Sequence, residues 1–191
     1  MKIEKYCINQ HKNTNHYYDE YLPYEFHLRM VVNAAEKYSF LLDDKKDYTT
    51  GKKQEEIGHF DRSEIITLRE ACMRAAWGHD LIEDTRTSFN DVKEQLGEAA
   101  AEIVFAVTNE KGKTRKDRAN KRYYDGIRAT QGAVFVKLCD RIANVQYSKM
   151  TQSKMFKKYR DENPNFIESL GFKPNHSYKL MFNELIALFN G

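Results

Sequence analysis

Glycine and proline are scarce, with nine and three in 191 residues, about half the share of an average globular protein. Folds made of many short strands need one or the other at most corners, so the shortage argues against a sandwich or barrel. Long apolar runs are missing as well. No window approaches the roughly 18 apolar residues of a membrane span, and the first residues, Met1-Lys2-Ile3-Glu4-Lys5-Tyr6, lack the apolar stretch of a secretory signal. Cysteine is rare: Cys7, Cys72 and Cys139 are odd in number and widely spaced, which is no disulfide framework. Cys72 and Cys139 fall on apolar helical stripes and read as reduced core thiols, so a cytoplasmic setting is expected. Neither sign of charge dominates, since 31 Lys/Arg stand against 28 Asp/Glu for a net +3. The total charge therefore makes no case for a nucleic-acid partner.

What is present is helical periodicity. From Pro23 onward Met30, Val31, Ala34, Ala35, Tyr38 and Leu41 recur at helical spacing, and His27 lies on the same stripe. A polar stretch, 43–58, carries nine charges and reads as a long loop inserted after that helix. Asp61 and Glu64 resemble a capping box for a helix bearing Ile65, Leu68, Cys72, Ala75 and Ala76 and ending in His79. Ser88 and Asp91 form a second capping signature, with Gly97 to close that helix. Ala99 to Val107 and Thr114 to Thr130 predict further helices. Ala133 to Tyr147 is apolar on nearly all sides, which marks a buried central helix. Met155, Phe156 and Tyr159 belong to another helical stretch that Asn163-Pro164 should break, and 175–190 predicts an amphipathic C-terminal helix. The expectation is a single all-α domain over 1–191.

Chemistry-bearing residues come from three of these helices. Gly78-His79-Asp80-Leu81-Ile82-Glu83-Asp84-Thr85 puts three acids and an imidazole into six residues, which is costly to bury without a cation. Glu83 follows His79 at i+4, so both are expected on one helix face. Taken alone, His27 reads as a core histidine more readily than as a ligand. Asp140 lies in the central helix, where aspartate is rarely buried without a partner, and Asn144 shares its face. His27, His79, Asp80 and Asp140 together make a mixed nitrogen and carboxylate set suited to a divalent transition metal with positions open to water.

The order His, His-Asp, Asp resembles the HD superfamily of metal-dependent phosphohydrolases, and the longer strings narrow it. Pro23-Tyr24-Glu25-Phe26-His27 resembles that superfamily's first-histidine motif. His79-Asp80-Leu81-Ile82-Glu83-Asp84-Thr85 resembles the HDxxEDT signature of the ppGpp (alarmone) 3′-pyrophosphohydrolases, and Val107-Thr108 and Val136-Lys137-Leu138-Cys139-Asp140-Arg141-Ile142-Ala143-Asn144 resemble their downstream motifs. The resemblance covers about residues 10 to 150. It implies an HD-type helical bundle in which His27, His79, Asp80 and Asp140 hold one Mn²⁺. It implies further that Glu83 and Asp84 orient and deprotonate a metal-activated water, which attacks the 3′-pyrophosphate and releases diphosphate. Asn144, with Lys137 and Arg141 of the same string, would contact the nucleotide.

Two departures bear on substrate. The basic loop usual before the first histidine is replaced by His16-Tyr17-Tyr18-Asp19-Glu20-Tyr21-Leu22, and the gap from His27 to His79 is roughly twice the usual one. Cations are offered elsewhere. Residues 111–122 hold seven Lys/Arg and one Asp, with Lys113 and Arg115 as candidate phosphate contacts, and Lys45, Lys46, Lys52 and Lys53 lie in the insertion. A solvated helix face is the other reading of the 111–122 cluster. His11, His16, His59 and His176 are expected not to be ligands. The function expected is metal-dependent hydrolysis of ppGpp or pppGpp, with no membrane or nucleic-acid partner. The alternatives are an HD phosphohydrolase for another nucleotide and a catalytically weak nucleotide-binding module.

Overall fold

A computed structural model describes residues 2–42 and 66–190. The expected loop 43–58 with its four lysines, the Asp61–Glu64 cap and His59 lie outside the described residues. Among those described, the elements are helices: α1 (Ile3–Asn13), α2 (Glu25–Tyr38), α3 (Leu68–Gly78), α4 (Leu81–Asp84), α5 (Phe89–Leu96), α6 (Glu98–Val107), α7 (Arg115–Arg118), α8 (Lys121–Ala129), α9 (Ala133–Met150), α10 (Lys154–Ser169) and α11 (Lys179–Asn190). The single β-type contact described is one isolated bridge between Tyr17 and Pro23.

The apolar helix read from Ala133 onward is the hub. Val134, Phe135, Val136, Leu138, Cys139, Ile142, Ala143 and Val145 bury different sides of α9, and α2, α3, α6, α8, α10 and α11 all pack against it. Gly132 opens this helix with φ of 85°, and a Cβ there would lie 2.7 Å from Cys72 Sγ and 3.0 Å from Ile103. Both the left-handed backbone and the close approach require glycine. Pinning the start of α9 against α3 and α6 fixes where Lys137, Asp140 and Asn144 emerge two turns later.

Several boundaries differ from expectation. The helix expected behind Asp61 begins at Leu68, where the Thr67 hydroxyl caps Glu70 N–H. The helix expected over Thr114–Thr130 is two helices. Thr114 and Asp117 form a capping box on α7, and Asn120 caps Tyr123 N–H while donating its amide to Asp117 O, so the chain breaks and restarts there. Asn163-Pro164 does not break α10, which runs on through Pro164. Proline costs that helix a hydrogen bond, but fully buried Phe166, just beyond it, anchors the last turns in the core. Helix α1 was not expected, because its polar sequence buries only Tyr6, Cys7 and His11. Ser88–Asp91 and Gly97 act as expected, as capping box and terminator of α5.

A candidate metal centre in a cation-lined cleft

Helix α2 emerges from the Pro23 turn with His27 in its first turn, and Leu28 and Val31 buried beside it hold its angle. Helix α3 ends at Gly78. The chain then turns, with His79 as C-cap of α3 and Asp80 as N-cap of α4. A side chain at Gly78 would run into Leu96 at 2.5 Å, so the tight packing of the α3 end on α5 depends on that glycine. The turn corrects one expectation: His79 and Glu83 do not share one continuous helix. Helix α9 supplies Asp140 from its third turn.

Three chain segments thus converge. His27 Nε2 and His79 Nε2 face each other at 3.2 Å. Asp140 Oδ1 is 3.4 Å from the first and 3.8 Å from the second. Asp80 Oδ2 is 2.8 Å from His79 Nε2 and 3.6 Å from His27 Nε2. His27, His79 and Asp140 form a group able to hold a metal ion with one donor atom each, and all three are buried.

The donor chemistry passes a test of fit to a divalent cation. His79 Nδ1 lies 3.0 Å from Ala76 O, so Nδ1 carries a proton, and Nε2, once it gives up its own to an incoming cation, directs a lone pair into the cluster, as metal-bound imidazoles are usually held. Asp80 and Asp140 bring two negative charges into a buried place, matching the charge of one such ion. Burial alone would lower the pKa of His79, yet the two carboxylates reverse this and push it up to about 9. Burial works against ionised Asp80 and Asp140 too. The His79 charge nevertheless holds Asp80 low, and Lys137 and the two imidazoles hold Asp140 well below the usual carboxylate range. These groups remain charged by leaning on cations, and the set is a candidate divalent-metal site of mixed N/O donors.

The surrounding residues extend the site. Lys137 Nζ donates to Asp140 Oδ2 at 3.1 Å. Asn144 donates to Asp140 and accepts from Tyr18 Oη at 2.9 Å. The Tyr24 hydroxyl donates to Asp80 and lies 3.5 Å from Asp84. Burial, with Asp80 and Glu83 nearby, pushes Asp84 up to about 7. Glu83 turns to the end of α6, where Asn109 donates its amide to both carboxylate oxygens at 2.8 and 3.0 Å and its backbone N–H at 3.1 Å. His11 and His16 both stack on Tyr24, and His16 Nε2 is 4.0 Å from Asp84.

Most of these residues, though not His79, line a cleft of about 710 Å³. His27, Asp80, Glu83, Asp84, Asp140 and Asn144 line it together with Lys137, Arg141 and Arg115. Lys113, expected beside Arg115, is not among the lining residues; Lys116 and Arg118 of α7 take its place. The far wall is α10, with Lys158, Tyr159, Glu162 and Phe166. The sequence reading missed Tyr24, Asn109 and that wall. Tyr24's place in the motif ending at His27 and Asn109's place directly after Val107-Thr108 were the signals that could have found those two, and α10 carried no comparable signal.

The Glu83–Asn109 clasp makes a prediction. Asn109→Ala should lower kcat of the hydrolysis proposed below by about 10- to 100-fold, the range typical of orienting residues. The melting temperature should barely move, because the clasp is exposed. Steady-state kinetics together with a thermal melt checks both.

Fold and site together define the class: the described chain is an all-α helical bundle that brings His27, His79, Asp80 and Asp140 together beside a cleft lined by lysine and arginine. No family model matches the chain. It is 30% identical over 96 residues to guanosine-3′,5′-bis(diphosphate) 3′-pyrophosphohydrolase MESH1 of Drosophila melanogaster, which is 47% of this chain and 54% of that protein. To the Homo sapiens protein of the same name it is 30% identical over 84 residues, 44% of each chain. It thus spans about half the length of the curated relatives it matches. A solved structure described as a metazoan ortholog of SpoT that hydrolyzes ppGpp has the same fold, with a TM-score of 0.61 at 20% identity over 100% of this chain and 93% of that one. Among the described residues no helix is long and apolar enough to cross a membrane.

Proposed function

We propose that the chain is a manganese-dependent phosphohydrolase that removes the 3′-pyrophosphate of ppGpp or pppGpp as diphosphate. The observation that carries this reading is the meeting of His27, His79, Asp80 and Asp140 beside a cleft that arginine and lysine also line. The named activity of the relatives agrees with it. We also place the protein in the cytoplasm, in keeping with its three free, buried cysteines.

His27, His79, Asp80 and Asp140 would hold the ion, which when bound polarises a phosphoryl oxygen and acidifies water. Every other role falls to the chain. Asp84, half-buried and proton-hungry, takes the proton of the attacking water on a carboxylate oxygen, with the Tyr24 hydroxyl 3.5 Å away. Glu83, clamped by Asn109, orients the water through its remaining lone pairs. Lys137 and Arg141 meet phosphate charge in the cleft, and Asn144 contacts the nucleoside. The proton held by Asp84 then passes to the departing 3′-oxygen.

Purified protein supplied with Mn²⁺ and offered ppGpp, pppGpp, ppApp and a nucleotide panel tests this. Diphosphate released from ppGpp, and lost in Asp80→Ala and Glu83→Ala, supports the reading. Turnover of another nucleotide alone would support the second one, which the aromatic stretch Tyr17-Tyr18 in place of a basic loop favours. No turnover at full metal occupancy would leave a binding module.

A further inference from the structure

The far wall of the cleft holds a carboxylate where an anionic ligand needs cations. Glu162 Oε1 is 3.0 Å from Arg115 Nε, and Glu162 Oε2 is 3.3 Å from Arg141 Nη1. One carboxylate therefore spans two guanidiniums, the geometry in which arginines grip phosphate. The cations do not depend on it for their position. The Arg141 guanidinium is nearly buried and lies over the rings of Phe166 and Tyr159, at 4.2 and 4.7 Å. Arg115 also lies over the Tyr159 ring, at 5.5 Å. Tyr159, Glu162 and Phe166 are spaced by three and four along α10, so one helix face presents both the aromatic seats and the anion.

We propose that Glu162 is a specificity-determining residue acting as an internal competitor: its carboxylate occupies the Arg115–Arg141 pair and is displaced only by a ligand with enough phosphate charge to replace it. The inference rests on reading the cleft as a phosphate-ligand site. Displacement costs every ligand the same free energy, so weakly bound, singly phosphorylated compounds fall below useful affinity while polyphosphates remain bound. Gln at this position keeps the shape and one hydrogen bond but removes the competing charge. The aromatic seats keep Arg141 in place, so the cleft gains net positive potential rather than losing order.

Calorimetric titration of inorganic diphosphate into the metal-free protein is the test. Without the ion, the carboxylates of the metal centre repel the anion, so binding reports on the cationic wall. Glu162→Gln should tighten diphosphate binding about ten-fold at low salt, with the gain shrinking as ionic strength rises. In an Arg115→Gln background the same change should gain less than half as much. Equal or weaker binding by Glu162→Gln overturns the proposal, as does a gain undiminished without Arg115, or no diphosphate binding in either protein. The hydrolase reading stands or falls separately, on the turnover of ppGpp by the metal-loaded enzyme.

Discussion

Asp140→Asn should abolish hydrolysis, by at least about 10³-fold, because the change removes one of two charged oxygen donors from the metal centre. It should also destabilise the fold. Asp140 is the partner of Lys137, and both side chains are almost wholly buried. Removing one member of a buried pair leaves the other charge without compensation, at a cost of about 3–5 kcal/mol. Part of this is offset here, since Asp80 and Asp140 repel one another in the metal-free protein. A net loss of about 2–4 kcal/mol corresponds to a fall of about 5–10 °C in melting temperature for a chain of this size. A second substitution separates the two effects. Asp140→Asn with Lys137→Met removes the stranded ammonium and should recover most of the melting temperature without recovering activity. Metal content of each variant, measured by mass spectrometry, completes the comparison. Full activity in Asp140→Asn would remove Asp140 from the metal centre.

Asp84→Asn should cost about 10²- to 10⁴-fold in kcat, the usual contribution of a general base, and should change the pH profile. Burial and two neighbouring carboxylates push Asp84 up to about 7 in the metal-free protein. A base works only when deprotonated, so activity should rise with pH through the apparent pKa of Asp84 and level off above it. A bound divalent cation favours the carboxylate, which puts the inflection of the loaded enzyme below that value. The Asn variant should lack this limb.

Stability gives an independent sign. In the unfolded chain Asp84 returns to an ordinary pKa near 4. Between about 4 and 7 the folded state therefore binds a proton that the unfolded state does not, and stability falls as pH rises across that window. Asp84→Asn removes the penalty of a buried charge. Metal-free Asp84→Asn should melt higher than the parent at pH 8 and close to it at pH 4. A lower melting temperature at pH 8 would mean that Asp84 is held by contacts other than those described.

Much of this site is legible in sequence because its residues violate local expectation. Asp140 sits inside an otherwise apolar helix, His27 on an apolar stripe, and three acids crowd around one histidine. Each is a charged or polar group where burial is costly, and each proves to lie in or beside the cleft. The helices with strong apolar periodicity, α2, α6, α9 and α11, are legible for the complementary reason: a continuous stripe needs one partner surface and little else. Helix α1 escaped because His11 is one of only three residues it buries, with Tyr6 and Cys7, and a buried histidine looks polar in a sequence. The break at Asn120 escaped because it depends on single side-chain caps, and the one at His79–Asp80 because no capping side chain marks it.

By itself, then, the sequence determined the all-α class, the buried central helix and the four residues that form the candidate metal centre. All of these follow from periodicity and from the cost of burying charge, which are properties of single segments. The tertiary structure alone decided which groups face one another across segments. It turned Glu83 away from His79 toward Asn109, set Tyr24 between Asp80 and Asp84, left Lys113 out of the cleft, and brought α10 across to join Arg115 and Arg141 through Glu162. Those pairings link residues between 21 and 60 positions apart. Local pattern carries no record of such distances, because they are set by how the helices pack around α9.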